Sequence, residues 1–137
     1  MQKVVIDTSV FVAAILSKNS QSAPNQVLNK WRQGYLTLII SPQILEELVI
    51  TLLRQKISAN LIEDLVAAIG TLAIQIPGVY EATLLDSIDP DDNKFLAAAY
   101  EAKSDYLVSL DNHLLRLKYY HGTQILTPNL FLQRITT

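Results

Sequence analysis

The chain contains no cysteine, so neither disulfides nor thiolate metal sites are available to it. Histidine is scarce as well: His113 and His121 are too few for a histidine-based zinc cluster. There is no internal repeat, no low-complexity tract and no linker composition. No apolar stretch is long enough to span a bilayer, and no basic segment followed by a long apolar run opens the chain, so neither a membrane span nor a signal peptide is expected. Positive charge is not in excess either. Eleven Lys and Arg face thirteen Asp and Glu, a net charge of −2. That balance argues against a basic nucleic-acid-binding surface over the whole molecule, although divalent cations can still bridge carboxylates to phosphates.

What is present is apolar. Half of the 137 residues are hydrophobic, enough for one compact domain over residues 1–137 with a sizeable core, and a cytoplasmic location is the default expectation. KVVID reads as a short β-branched strand and TSVFVAAIL as a helix, with Asp7, Thr8 and Ser9 all plausible caps. APNQVLNKWRQG is a second helix closed by Gly34, and YLTLII a strand. SPQILEELVITLLRQK is a helix capped by Ser41 with Pro42 in its first turn; Ile44, Leu45, Leu48, Val49, Leu52 and Leu53 form its apolar face. SANLIEDLVAAIGTLA is another, with Leu61, Ile62, Leu65, Val66 and Ile69 on one side, before the short strand IQIP. DPDDNKFLAAAYEAKS begins acidic and ends as a helix, DYLVSL is a strand, DNHLLRLKYY begins a short helix, and TQILTPNLFLQRI supplies a last strand and a helix capped by Thr127. Alternating strands and helices predict an α/β fold whose parallel sheet is covered on both faces. Sites in such sheets form at the carboxyl ends of strands, where Asp7 and Asp111 both fall.

Each acid has a structural explanation. Asp7 and Asp111 can cap the helices that follow them, Asp89 can cap a helix with Pro90 behind it, and Asp91 and Asp92 suit a first turn. Together they suggest more. Asp7 stands alone in an apolar run, and burying a lone carboxylate is costly unless it is paired, hydrogen-bonded or bound to a cation. Two aspartates end strands on one sheet edge, and the cluster DSIDPDD enters a helix of core-type residues. Carboxylates that converge without basic partners are tolerable when a divalent cation sits among them. Oxygen ligands suit hard ions, so Mg²⁺ or Mn²⁺ is expected and zinc is not.

The stretches VVIDTSVFVAAIL, SPQILEELVITL, DPDDNKFLAAAYEAKSDYLVSLDNHLL and ILTPNLFL, in this order and spacing, resemble the PIN-domain ribonucleases, many of them VapC-type toxins of toxin–antitoxin pairs. The resemblance covers nearly the whole chain. It implies a PIN-like fold, a central parallel sheet sandwiched between helices, and Mg²⁺- or Mn²⁺-dependent phosphodiester hydrolysis without a covalent intermediate. It carries the four metal-holding, catalytic acids onto Asp7, Glu47, Asp92 and Asp111. Helical periodicity cannot choose between Glu46 and Glu47; only the resemblance selects Glu47. Ser9 and Ser109 fall where the family has supporting polar groups, and Asp89 reads as a cap with an outer role. His113 stands where many relatives carry a further acid and reads as a surface or substrate-facing residue. RNA as substrate, a cognate antitoxin and a homodimer are further implications of the resemblance. Lys18, Arg54, Lys56, Lys94, Arg116 and Lys118 are candidate phosphate contacts if they gather at the pocket rim, Lys94 above all because it follows the acidic cluster.

Three rival readings stand beside this one. A dehalogenase-like phosphatase would need a second aspartate two residues after Asp7, where Ser9 stands. A PIN fold that has lost catalysis and serves as a binding module keeps some support from His113. A housekeeping nuclease without an antitoxin is the third.

Overall fold

In the computed structural model, which describes residues 1–135, the expected alternation is present. Strand β1 (Lys3–Ile6) leads into α1 (Thr8–Leu16) and α2 (Ala23–Arg32), and β2 (Thr37–Ile40) into α3 (Pro42–Arg54) and α4 (Ala59–Leu72). After β3 (Ala73–Gln75), a stretch of turns ends in one 3-10 turn, Pro90–Asp92, that feeds α5 (Asn93–Ala102). The chain continues through β4 (Tyr106–Val108), α6 (Asn112–Leu115), β5 (Tyr119–Tyr120), β6 (Thr123–Leu126) and α7 (Pro128–Ile135).

Helix starts follow the hydroxyl and carboxylate signals. Ser41 Oγ accepts from the Ile44 amide at 3.2 Å, Thr127 Oγ1 from Leu130 at 3.3 Å, and Asp7 takes the cap of α1. Asp89 departs from expectation. Its side chain caps nothing, because the turn after it is 3-10 and the α-helix begins only at Asn93.

The sheet order is β3-β2-β1-β4-β6-β5. Every pairing is parallel except β5 with β6. DNHLLRLKYY begins as the expected short helix, and its end adds an antiparallel edge strand that the sequence reading did not include. The helix stops at Leu115, and Tyr119–Tyr120 turns back onto Thr123–Gln124 through His121 and Gly122, whose φ values are +48° and +86°. Positive φ at both central residues is the tight turn that suits twisted strands, and glycine makes the second position strain-free.

Right-handed crossovers place successive helices on opposite faces when the chain reverses its direction across the sheet. Accordingly α2 packs with α1, α4 and α7, while α5 lies across β1, β2 and β4. The core between these layers holds Phe11, Trp31, Phe95 and Phe131 at no more than 1% exposure. Phe11 and Trp31 meet edge to face at 6.4 Å, and the Trp31 indole donates to the Leu72 carbonyl at 3.0 Å, so this buried ring keeps a polar partner. The apolar stripes of α3 and α4 are narrower than the sequence implies: Leu53, Leu61 and Val66 are exposed.

The chain runs from β1 to β2 and β3 on one side and returns to β4 on the other. The crevice between β1 and β4 is therefore the switch point of the sheet. Ile6 is in register with Val108, so the residues that follow them, Asp7 and Ser109, emerge side by side, and the Asp7 amide donates to the Val108 carbonyl at 2.9 Å.

Candidate active site

The strand ends position the first acid. Asp7 is 3% exposed and uses both oxygens. Oδ1 accepts from the Ser9 amide at 3.3 Å, while Oδ2 accepts from the hydroxyls of Ser9 at 2.9 Å and Ser109 at 2.5 Å. Burial pushes the Asp7 carboxyl above the ordinary aspartate range, and the bonds from Ser109 and Ser9 oppose that push. The same two serines tie down the next loop. Ser9 Oγ accepts from the Leu110 amide at 3.2 Å, and Ser109 Oγ from the Asp111 amide at 2.9 Å. Each serine hydroxyl therefore donates to Asp7 and accepts from an amide of the loop after β4.

Asp111 caps α6, accepting from the His113 amide at 2.8 Å. Asp92 arrives from the 3-10 turn and is 7% exposed, and its Oδ2 is buried without a hydrogen-bond partner. Burial is the first cause that pushes its carboxyl up to about 8; a bond and charge repulsion from Asp111, then the charges of Asp7 and Asp89, add to it. Asp89 lies beside this group, with its Oδ2 3.3 Å from His113 Nδ1, which is also 3.6 Å from Asp111 Oδ1. One ligand-type atom each from Asp89, Asp92, Asp111 and His113 lies within 4.8 Å of all the others. Asp7 is outside that foursome, yet its charge is felt at Asp92 and it feels Asp111 in turn.

Glu47 is tied to residues that neighbour two of these acids in sequence. Its Oε2 accepts from Thr8 Oγ1 at 2.6 Å, and its Oε1 forms an ion pair with Lys94 Nζ at 2.8 Å. Glu46, one residue earlier, is exposed. Glu47→Gln should therefore lower turnover at least tenfold, about 1.4 kcal/mol of barrier, while Glu46→Gln stays near wild type. RNA-cleavage rates of the two variants check this, and damage from the Glu46 change alone would move the helix acid by one residue.

Of the cations expected at the rim, Lys94 is the one hydrogen-bonded to a site acid among the described residues. Arg54 shares with Lys94 and Glu47 a polar cavity of about 400 Å³ that Gln43, Glu46 and Thr51 also line. Lys18, Lys56, Arg116 and Lys118 are simply exposed.

Two contributors were not legible as site residues. Thr8 reads in sequence only as a cap, and nothing local announces a bond to a glutamate 39 positions away. Asn93 did leave a signal, being a polar residue at the head of a core-type run. It is 8% exposed, accepts from the Leu85 amide at 3.0 Å and donates to Asp86 at 2.7 Å, which anchors the turns leading to Asp89 and Asp92.

A family model described as PIN domain matches residues 3–113. An uncharacterised protein of Methanocaldococcus jannaschii is 30% identical over 121 residues, covering 85% of this chain and 75% of its own length. A chain from the crystal structure of VapBC2 from Rickettsia felis, bound to a DNA fragment from the promoter, superposes with a TM-score of 0.60 at 15% identity. That match covers 90% of this chain and 96% of the other.

Proposed function

This chain belongs to the PIN-domain family, a family of nucleases, and from that premise we propose that it is a divalent-metal-dependent endoribonuclease, the toxin of a toxin–antitoxin pair. The observation that carries the metal dependence is Asp92. A carboxylate buried among Asp7, Asp89 and Asp111, with one oxygen left unpartnered, is costly as it stands and is the environment a bound cation would relieve. The donor set fits such an ion: carboxylate oxygens converge, with an imidazole at the margin.

Asp7, Glu47, Asp92 and Asp111 would hold the Mg²⁺ or Mn²⁺. When bound, the ion supplies positive charge to the phosphate oxygens and brings the pKa of a water toward neutrality. The chain's own residues do the rest. Ser9 and Ser109 hold the Asp7 carboxylate in one orientation by donating to it. Thr8 and Lys94 do the same for Glu47, and Lys94 also places a positive charge beside the acids where a phosphate would enter. Asp92 would orient the attacking water.

The toxin assignment rests on the fold shared with the VapBC2 chain and on the family membership. A cognate antitoxin, a homodimer and single-stranded RNA as substrate belong to the same reading. One observation favours the rival binding-module reading: the Lys94–Glu47 pair already neutralises one of the four acids. Both readings face the same assay. The full chain, freed of metal and incubated with single-stranded RNA, should cleave on addition of Mg²⁺ or Mn²⁺ and stop with EDTA. Cleavage undiminished by exhaustive chelation would overturn the metal mechanism, and RNA binding without cleavage under any divalent ion would establish the binding module. No helix among the described residues is long and apolar enough to cross a membrane.

A further inference from the structure

We propose that Asp89, Asp92, Asp111 and His113 form a mixed oxygen–nitrogen cation site that selects first-row transition ions over Mg²⁺. The inference deepens the reading that this acidic cluster binds a divalent ion, and rests on it. It adds two ligands, Asp89 and His113, and a metal preference.

The donor atoms lie close to the spacing of one coordination sphere. Ligands bound at roughly 2.0–2.2 Å around a single ion lie no more than about 4.4 Å from one another. The four donor atoms here already fall within 4.8 Å, without an ion to draw them in. Asp92 supplies independent support, because its residue is 93% buried (7% exposed) and its Oδ2 has no partner. Asp89 spends no oxygen on a helix cap, and its Oδ2 faces His113 Nδ1 at 3.3 Å. His113 turns Nδ1, not its outer nitrogen, toward both Asp89 and Asp111, and its backbone amide is fixed by the Asp111 cap, so the ring starts from a defined position.

The chemistry follows from the nitrogen. Mg²⁺ is a hard ion that favours oxygen and keeps its waters, whereas imidazole suits first-row transition ions. Three carboxylates with one imidazole therefore shift preference toward Mn²⁺ and the later ions of that row. His113 side-chain exposure is 39%, so replacing it opens no core cavity.

The test uses the metal-stripped full chain, titrated calorimetrically with MnCl₂ and with MgCl₂, and electron spin-echo spectra of the Mn²⁺ complex. Nitrogen modulation from a bound imidazole is expected in the wild type and in His121→Ala, and should vanish in His113→Ala. Mn²⁺ affinity should fall about tenfold in His113→Ala, with Mg²⁺ affinity much less affected. His113→Asp should lose the nitrogen signal but keep or gain Mg²⁺ affinity, which distinguishes a lost ligand from a damaged fold. Absence of nitrogen modulation in the wild type, its persistence in His113→Ala, or an unchanged Mn²⁺-to-Mg²⁺ affinity ratio would each overturn the proposal. RNA cleavage with no nitrogen signal would remove this site and leave the nuclease intact. A nitrogen signal with no cleavage under any ion would remove the nuclease and leave this site.

Discussion

Replacing Asp92 by asparagine is expected to raise the melting temperature of the metal-free protein at pH 8 while abolishing RNA cleavage. The stability half follows from linkage. The Asp92 carboxyl is pushed up to about 8, first by burial and then by Asp111, from an ordinary value of 3.8 in the unfolded chain. Between those values the folded protein holds a proton that the unfolded chain has released, so stability falls as pH rises. Below pH 4 both states are protonated and the penalty is absent; above pH 8 it is fully present. Asparagine never ionises, and its amide can still donate toward Asp111 as the protonated acid does. The variant should thus match the wild type near pH 4 and gain steadily to pH 8. One pKa unit of relieved strain, about 1.4 kcal/mol, corresponds to a rise of roughly 4 °C. The activity half follows from the lost ligand and water-orienting oxygen: a decrease of at least a thousandfold, about 4 kcal/mol of barrier. Melting curves at pH 4, 6 and 8 without metal, together with cleavage rates, check both halves. A variant less stable than wild type at pH 8 would show that the buried carboxylate is already compensated in the metal-free fold, and one that still cleaves RNA would place the chemistry elsewhere.

Asp7→Asn should also remove cleavage, by at least a thousandfold, and for a different balance of reasons. In sequence, Asp7 could be a cap or part of a site; the structure gives its two oxygens separate duties. Oδ1 caps α1, which asparagine does about as well, so the helix should survive. Oδ2 takes two hydroxyl donors, and an amide NH₂ in its place forces those hydroxyls to turn. That costs about 1 kcal/mol, and relief from burying a charge offsets it. The metal-free melting temperature should therefore move little, while the rise produced by added Mg²⁺ should shrink with the lost affinity. Melting with and without Mg²⁺, beside cleavage rates, decides it. Full activity with a full Mg²⁺ response would make Asp7 a cap alone.

The sheet edge carrying Asp7 and Asp111 was legible because a strand followed directly by a helix leaves a recognisable switch from period 2 to period 3.6, and the acid sits at the switch. Only family likeness prefers Glu47 to Glu46: α3 presents both glutamates beside its apolar stripe, and the partners that set Glu47 apart in the fold, Thr8 and Lys94, are distant in sequence. Asp89 was misread for a physical reason. Asp-Pro is a strong helix-start signal, but here one 3-10 turn intervenes and frees the carboxylate to face His113. The edge strand at Tyr119 escaped notice because two residues carry no periodicity, and only the turn at His121 and Gly122 marks it.

The bond from Ser109 to Asp7 joins residues 102 positions apart, and β1, at the heart of the sheet, finds one of its two neighbours in β4. Contacts of such long span form late in folding, since the intervening loop must be closed first. During synthesis, then, the opening strand emerges long before the partner that completes its crevice. A nascent chain that has not yet exposed Asp111 has at most Asp7, Glu47 and Asp92 on an unfinished sheet, and until Ser109 emerges the first of them keeps Ser9 as its one hydroxyl donor. Completion of the acidic crevice is thereby deferred until most of the polypeptide has left the ribosome.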